Sequence, residues 1–513
     1  MKRPMQAALV CFTVTMSQLA CTMRPALDQP NIIIFLADDF GYGDLSSYGH
    51  PTQEFGPIDQ MGREGMRFTR WYAPSLFCSP SRGAMLTGRY PVRIGLYGER
   101  QLPFPVFAQN SSAGLPKEEI TTAEALKSLG YATGMVGKWH LGINEFNASD
   151  GSHLPKHHGF DFVGTNLPLS NVWRCDLTKT MIPSPDRTSC YLYYGDTILQ
   201  QPFSHHNLTS ALLLEAKAFV YDHQHEPFFF YFSFPHTHSN MFSSEAFKNS
   251  SRRGVYGDSV NEMSWAVGEM LQLLRDLKLE RNTLAVFLSD HGPEREMCKE
   301  GGVSSPLKGW KGMTWEGGVR VPAIAWWPGT VPADITNHQV ISSMDLFSLA
   351  IDLAGGTPPT DRIIDGRSIK EVILHGGRSP DRALFHYCGK RIMAVQHGKY
   401  KVHYYTQEIR TDESLRAFCG PTGIPDVRGD YYCGDCHSSP CVTTHNPPLL
   451  YDLNEDPEEA YPLPAQEHAE VLREVARLVS EHEAGMVHGT PLFNDEFFGS
   501  SLIPCCNPPY CAC

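Results

Sequence analysis

Three stretches of the chain are nearly unbroken apolar runs that stop abruptly at polar or charged residues. Ile32–Ala37 ends in Asp38 and Asp39, Pro227–Phe234 ends at Pro235, His236, Thr237 and His238, and Thr283–Leu288 ends in Ser289, Asp290 and His291. A short run with no polar alternate position is the pattern of a strand buried on both faces of a parallel sheet. Tyr131–Val136 reads the same way and runs into Gly137, Lys138, Trp139 and His140. Between these runs lie helical patterns, Thr121–Leu129 and Val260–Leu277, the second carrying Val260, Met263, Val267, Leu271 and Leu274 on one stripe. Strands alternating with helices predict an α/β sheet, whose ligands bind outside the carboxyl ends of the strands. Every one of the polar clusters falls there.

From about Arg382 the period shortens. Ala383–Tyr387, Arg391–Gln396 and Tyr400–Tyr405 are joined by Cys-Gly and His-Gly turns and predict an antiparallel meander, followed by a helix over Gln466–Glu483 and a Cys- and Pro-rich tail. A chain of 513 residues exceeds what one hydrophobic core usually supports. The expected division is a signal peptide over 1–22, a catalytic domain over 28–378 and a smaller, disulfide-rich domain over 379–513. Lys2 and Arg3, the short apolar stretch Ala7–Met16 and the small residues Ser17 and Ala20 support the first of these. That stretch is too short to span a bilayer, as is every other apolar run, so a soluble, exported protein is expected.

Fifteen cysteines suit an oxidising compartment; setting aside Cys11, Cys21 and Cys78 leaves twelve, an even number. Cys433, Cys436 and Cys441, with His437 and His445, leave a zinc site as the alternative to disulfides. Asn110, Asn147, Asn207 and Asn249 each open an N-x-S/T sequon, consistent with glycosylation on surface loops. The net charge of −13 and the lack of a basic run exclude nucleic acid as a partner. An acidic enzyme acting on an anion must instead gather its cations locally.

Cys78-Ser79-Pro80-Ser81-Arg82, with LTGRYP at Leu86–Pro91, resembles the C-x-P-x-R signature of the sulfatases, a branch of the alkaline phosphatase superfamily, and GKWHLG at Gly137–Gly142 is similar to their second signature. The resemblance implies an alkaline-phosphatase-like central mixed sheet flanked by helices, with a smaller C-terminal α+β domain on an antiparallel sheet. It implies that Cys78 is oxidised to formylglycine by a formylglycine-generating enzyme in the endoplasmic reticulum. Asp38, Asp39, Asp290 and His291, together with the residue at position 78, would hold one Ca²⁺, for which carboxylates are suitable hard donors. His291 stands where the commonest family pattern has an amide, and would make metal affinity more sensitive to pH.

By the same resemblance Arg82 holds the nucleophile, Lys138 contacts it and the sulfate, and His140 deprotonates the hydrated aldehyde. His236 and Lys311 bind sulfate and place positive charge on the departing ester oxygen, with His238 and Lys308 as second choices. The hydrate would attack sulfur, the alcohol would leave, and the second hydroxyl would regenerate the aldehyde and release sulfate. The likeness runs from Asn31 to Cys513 and is nearest to the arylsulfatase group that includes steroid sulfatase, as in GVYGDSVNEM at Gly254–Met263 and NPPLLYDLNEDP at Asn446–Pro457. That branch has a membrane hairpin where Trp173–Phe203 is polar and short here. The expected substrate is a small sulfate ester, aryl or alkyl, or a sulfated glycan, with Trp71, Tyr72, Phe77 and Trp173 as pocket or core; oligomeric state is not encoded in the sequence. Two rivals differ in kind: a phosphatase or phosphodiesterase using Ser or Thr and two zinc ions, which Cys78 and Arg82 oppose, and a glycan-binding or matrix protein with little turnover, which the full set of catalytic positions opposes.

Overall fold

The computed structural model describes residues 29–98, 105–170, 190–239, 241–407, 412–421, 423 and 442–513. Among them, eleven strands form one mixed sheet: β1 (Asn31–Ala37), β2 (Met66–Tyr72), β3 (Ala132–Lys138), β4 (Phe162–Leu167), β5 (Leu192–Tyr194), β6 (Thr197–Gln200), β7 (Phe228–Ser233), β8 (Thr283–Ser289), β9 (Arg320–Trp326), β10 (Ile335–Asn337) and β11 (Ile341–Ser342). The order is β10-β2-β9-β8-β1-β7-β3-β4-β5-β6, with β11 beside β2. The centre, β8-β1-β7-β3-β4, is parallel, whereas β9 lies antiparallel between β8 and β2.

The central strands are apolar throughout because each feeds two cores. Ile32, Ile34 and Leu36 of β1 pack on one face of the sheet, and Ile33, Phe35 and Ala37 on the other. In β7, Phe229 and Tyr231 join the first core while Phe228, Phe230 and Phe232 join the second. Alternate side chains of a strand point to opposite faces, so burial on both sides requires this uninterrupted composition. The helices Cys78–Thr87, Thr122–Ser128 and Asp345–Leu353 lie on the first face, and Leu208–Asp222 and Val255–Asp276 on the second.

A second sheet is an antiparallel meander of β12 (Ala383–Cys388), β13 (Arg391–His397), β14 (Tyr400–Gln407) and β15 (Val442–Asp452), covered by the helix Ala469–Ala484. The expected strands and helix are there, each within a few residues of its expected ends. Trp71 and Tyr72, left open between pocket and core, are 0% and 1% exposed within β2; Trp173 lies outside the described residues. Cys505–Cys511 and Cys506–Cys513 staple the tail on itself, but Cys298–Cys419 joins the catalytic portion to the helix Asp412–Cys419 that follows β14. Cys190 and Cys388 are also disulfide-bonded, and Cys78 is free and buried. Cys175, Cys433, Cys436, Cys441 and His437 lie outside the described residues. No helix among the described residues is long and apolar enough to cross a membrane.

Candidate active site

Strand register brings the sequence-predicted residues together. Ala37 pairs with Ser289, Leu36 with Ser233, and Gly137 with Ser233, so β1, β8, β7 and β3 end side by side. Asp38 and Asp39, Asp290 and His291, His236 and His238, and Lys138 and His140 therefore emerge along one edge. The turns are tied to each other: the Asp38 amide donates to the His236 carbonyl at 2.6 Å, the Thr237 amide to the Asp38 carbonyl at 2.6 Å, and the Asp39 amide to Asp290 Oδ1 at 3.1 Å.

Cys78 is the first residue of the helix Cys78–Thr87, aimed at this edge, and Arg82 follows one turn later on the same helical face. All ten residues of that helix are buried. Cys78 Sγ lies 3.3 Å from His291 Nε2, 3.7 Å from Asp38 Oδ1 and 4.0 Å from Asp39 Oδ1. Arg82 donates through Nε and Nη2 to Asp290 Oδ2 at 3.0 and 2.9 Å, places Nη2 3.2 Å from Asp38 Oδ1, and donates through Nη1 to Ser233 Oγ at 2.6 Å. Lys138 Nζ is 2.5 Å from Asp38 Oδ2, and Lys311 Nζ is 2.6 Å from Asp39 Oδ2 and 3.7 Å from Glu294 Oε2.

The electrostatics follow from these pairs. Burial by itself raises the Asp38, Asp39 and Asp290 carboxyls, but the facing cations reverse it. Lys138 and Arg82 hold Asp38 low, Lys311 with His238 and His291 holds Asp39 at about 2, and His291 and Arg82 hold Asp290 well below the usual range. Burial disfavours the Lys311 charge, yet Asp39 and Glu294 raise it well above its ordinary value. Burial pushes the Cys78 thiol up further than Lys138 and Lys311 pull it down, so the encoded side chain is a neutral thiol. His140 is held well below the usual imidazole range by burial and then by Lys138 and Arg82, which leaves it a neutral base.

His291 is set up to donate a lone pair. Its Nδ1 is 2.9 Å from the Gly292 carbonyl, an acceptor, so in the neutral imidazole Nδ1 keeps the proton and the lone pair lies on Nε2, which faces Cys78, Asp39 (3.3 Å) and Asp290 (3.7 Å). Asp39, Cys78 and His291, and Asp38, Cys78 and Asp290, form two overlapping groups with ligand atoms within 4.8 Å of one another. Three carboxylates and one imidazole nitrogen thus converge on position 78.

The two histidines after β7 divide differently from the order in which the sequence ranked them. His236 is 0% exposed, with Nε2 3.2 Å from Thr209 Oγ1 and its ring against Phe242 and Phe234. His238 has Nε2 3.8 Å from Asp39 Oδ2 and shares a three-residue group with Asp39 and Glu294. His238 has a ring nitrogen beside Asp39, whereas the His236 ring packs against Phe234 and Phe242 with Asp38 still acting on it electrostatically. Sequence reading also missed Ser233, which fixes Arg82, and Glu294, which faces Lys311. A serine ending an apolar strand and a carboxylate four residues after Asp290 were the available signals.

A family model described as "Sulfatase" matches residues 30–356, and one described as "C-terminal region of aryl-sulfatase" matches residues 379–513. The chain is 50% identical over 486 residues to an arylsulfatase of Hemicentrotus pulcherrimus, covering 94% of this chain and 86% of that protein. It is 37% identical over 511 residues to arylsulfatase A of Bos taurus, covering 94% of each. In fold it resembles the crystal structure of the PsFucS1 sulfatase from Pseudoalteromonas sp., with a TM-score of 0.72 and 24% identity over 90% of this chain and 92% of that one.

Proposed function

The chain belongs to the sulfatase family and is a sulfuric ester hydrolase, and from that premise we propose that it cleaves sulfate monoesters with formylglycine made from Cys78 and one bound Ca²⁺. The observation that carries this reading is the convergence of Asp38, Asp39, Asp290 and His291 Nε2 on Cys78 Sγ. The donor set fits the ion: carboxylates are the hard oxygen donors calcium takes, and His291 turns Nε2 inward, a ligand atom once the ring is neutral. The charges fit as well. Asp38, Asp39 and Asp290 are matched by Lys138, Arg82 and Lys311, so a divalent cation would leave the centre positive and able to hold an anionic ester. When present, the metal and the hydrated aldehyde would supply charge neutralisation and the oxygen nucleophile, respectively.

The chain's own residues do the rest. Arg82, fixed by Asp290, Asp38 and Ser233, holds the end of β8 and the helix carrying position 78 in one arrangement. In this reading Lys138 contacts the sulfate oxygens, and His140, a buried neutral imidazole with Nδ1 unpartnered among the described residues, takes the proton from position 78. Lys311 brings positive charge to the ester oxygen of the leaving alcohol, with His238 beside it on Asp39. His236, its ring packed against Phe234 and Phe242, supports this turn through its carbonyl on the Asp38 amide.

The substrate in this reading is a small aryl or alkyl sulfate, or a sulfated glycan, met outside the cell or in a lysosome after passage through the endoplasmic reticulum. The test joins peptide mass spectrometry with turnover. Protein co-expressed with a formylglycine-generating enzyme is expected to carry the aldehyde at position 78, to hydrolyse p-nitrophenyl sulfate, and to lose that activity on removal of Ca²⁺ or in C78A. An unmodified cysteine in a protein that does not turn over would sink the proposal.

A further inference from the structure

Lys311 lies in a stretch without helix or strand, between the short 3₁₀ helix Arg295–Glu300 and the helical turn Glu316–Val319. Its ammonium must nevertheless stay beside Asp39 and Glu294, and a loop keeps a side chain in place only through what it packs against. The Lys311 amide donates to the Pro293 carbonyl at 3.1 Å and the Gly312 amide to the Leu76 carbonyl at 3.3 Å, within the catalytic portion, and further packing of this loop comes from the C-terminal domain. On one side the Cys298–Cys419 disulfide joins the 3₁₀ helix to the helix Asp412–Cys419, and the Lys299 amide donates to the Gly423 carbonyl at 3.3 Å. Around Lys311 itself, Trp310, Met313 and Trp315 form one apolar cluster with Leu415, Tyr451 and Leu453.

On the other side Glu316 is the hub of a fully buried ionic network. Lys401 of β14 reaches Glu316 Oε1 at 2.8 Å and Glu459 Oε1 at 3.3 Å; His403 Nε2 is 2.6 Å from Glu459, and Glu459 accepts from the Glu316 amide at 2.6 Å. Tyr72 and Arg320 complete the shell around Glu316 at 2.8 and 3.3 Å. A buried ion pair is poor value as a source of stability, because desolvation consumes much of its Coulombic gain, but it accepts only one geometry. Here that geometry fixes the residue five positions after Lys311.

We infer that the C-terminal domain is a working part of the active centre: the Lys401–Glu316–Glu459 network and the Cys298–Cys419 disulfide are positioning elements that hold Lys311 where the ester oxygen departs. The inference rests on the proposed role of Lys311 and deepens it. The C-terminal residues named here act through the loop.

The test uses the full chain, with formylglycine installed and Ca²⁺ present, in four forms: wild type, C298S/C419S, K401M/E316Q and K311A, plus each double variant combined with K311A. Circular dichroism and melting establish folding, and aryl sulfates of graded leaving-group pKa provide the readout. Loss of Lys311's position is expected to lower kcat/KM by about 10- to 100-fold, most for the poorest leaving groups, as K311A does, and to cost nothing further when K311A is already present. The disulfide variant carries the test even where the charge-network variant fails to fold. Folded variants with wild-type kcat/KM and leaving-group dependence, or losses that multiply with that of K311A, overturn the inference. A wild type without turnover is a different result, which overturns the reading of the site itself.

Discussion

Glu296 shows how one buried carboxyl writes a pH dependence into the protein. It is 0% exposed, its Oε1 accepts from Trp310 Nε1 at 2.6 Å, and its Oε2 has no partner among the described residues. Burial, with a smaller push from Glu294, raises its carboxyl to about 7 from an ordinary 4.5. An acid whose folded pKa is raised binds its proton more tightly in the fold, so its contribution is complete below pH 4.5 and is lost as pH rises through 7. The loss is on the order of 3 kcal/mol for a shift of this size. Urea titrations of wild type and E296Q are expected to diverge over that window, the stability of wild type falling relative to that of the amide variant as pH rises toward neutral. Parallel curves would show that the carboxyl is not protonated in the fold.

At the scale of elements, the site depends on strands ending in step and on turns that admit no extra atom. Gly137, the last residue but one of β3, has φ +91°, and a Cβ there would stand 1.8 Å from the Ser233 carbonyl oxygen of the neighbouring strand. Glycine is required both by the left-handed backbone and by the close approach of β7. Gly137→Ala is therefore expected to cost roughly 3 kcal/mol or more, and to displace Lys138 and His140 from the cluster. A melting curve and an activity assay check this together; an alanine variant with unchanged melting would contradict the stated packing. The helix Cys78–Thr87 shows why part of this was hidden in the sequence. Buried on every side, it has no apolar stripe, so its helical period was invisible and only its motif marked it.

At the scale of the molecule, the four N-x-S/T sequons differ in what surrounds them. Asn147, Asn207 and Asn249 are exposed, and Asn110 is half-buried with its carbonyl accepting from the Gly499 amide at 2.8 Å. Protein from a eukaryotic secretory host is expected to carry glycans at the three exposed positions and less at Asn110, read by peptide mapping after deglycosylation. Full occupancy at Asn110 would show that this segment is accessible when the glycan is added. The tail is docked as well as stapled: Gln201 and Cys513 exchange backbone hydrogen bonds at 2.8 and 3.2 Å, and Gln201 also binds the Pro504 carbonyl and the Cys506 amide.

The sequence by itself determined the parts whose information is local. Runs buried on both faces announce central parallel strands, and the residues that follow them lie at the ligand-binding edge, which is how Asp38, Asp39, Lys138, Asp290 and His291 stood out. Cys78 and Arg82 stood out only through their resemblance to a family signature. Tertiary structure alone decided the rest. Which of His236 and His238 sets a ring nitrogen beside Asp39 depends on an aromatic core built by Phe234 and Phe242, and which nitrogen of the neutral His291 ring holds the lone pair depends on the Gly292 carbonyl. The partner of Glu316 is a lysine 85 residues away in another sheet. Spacing along a chain fixes the face on which a side chain begins; only packing between distant segments fixes where it ends.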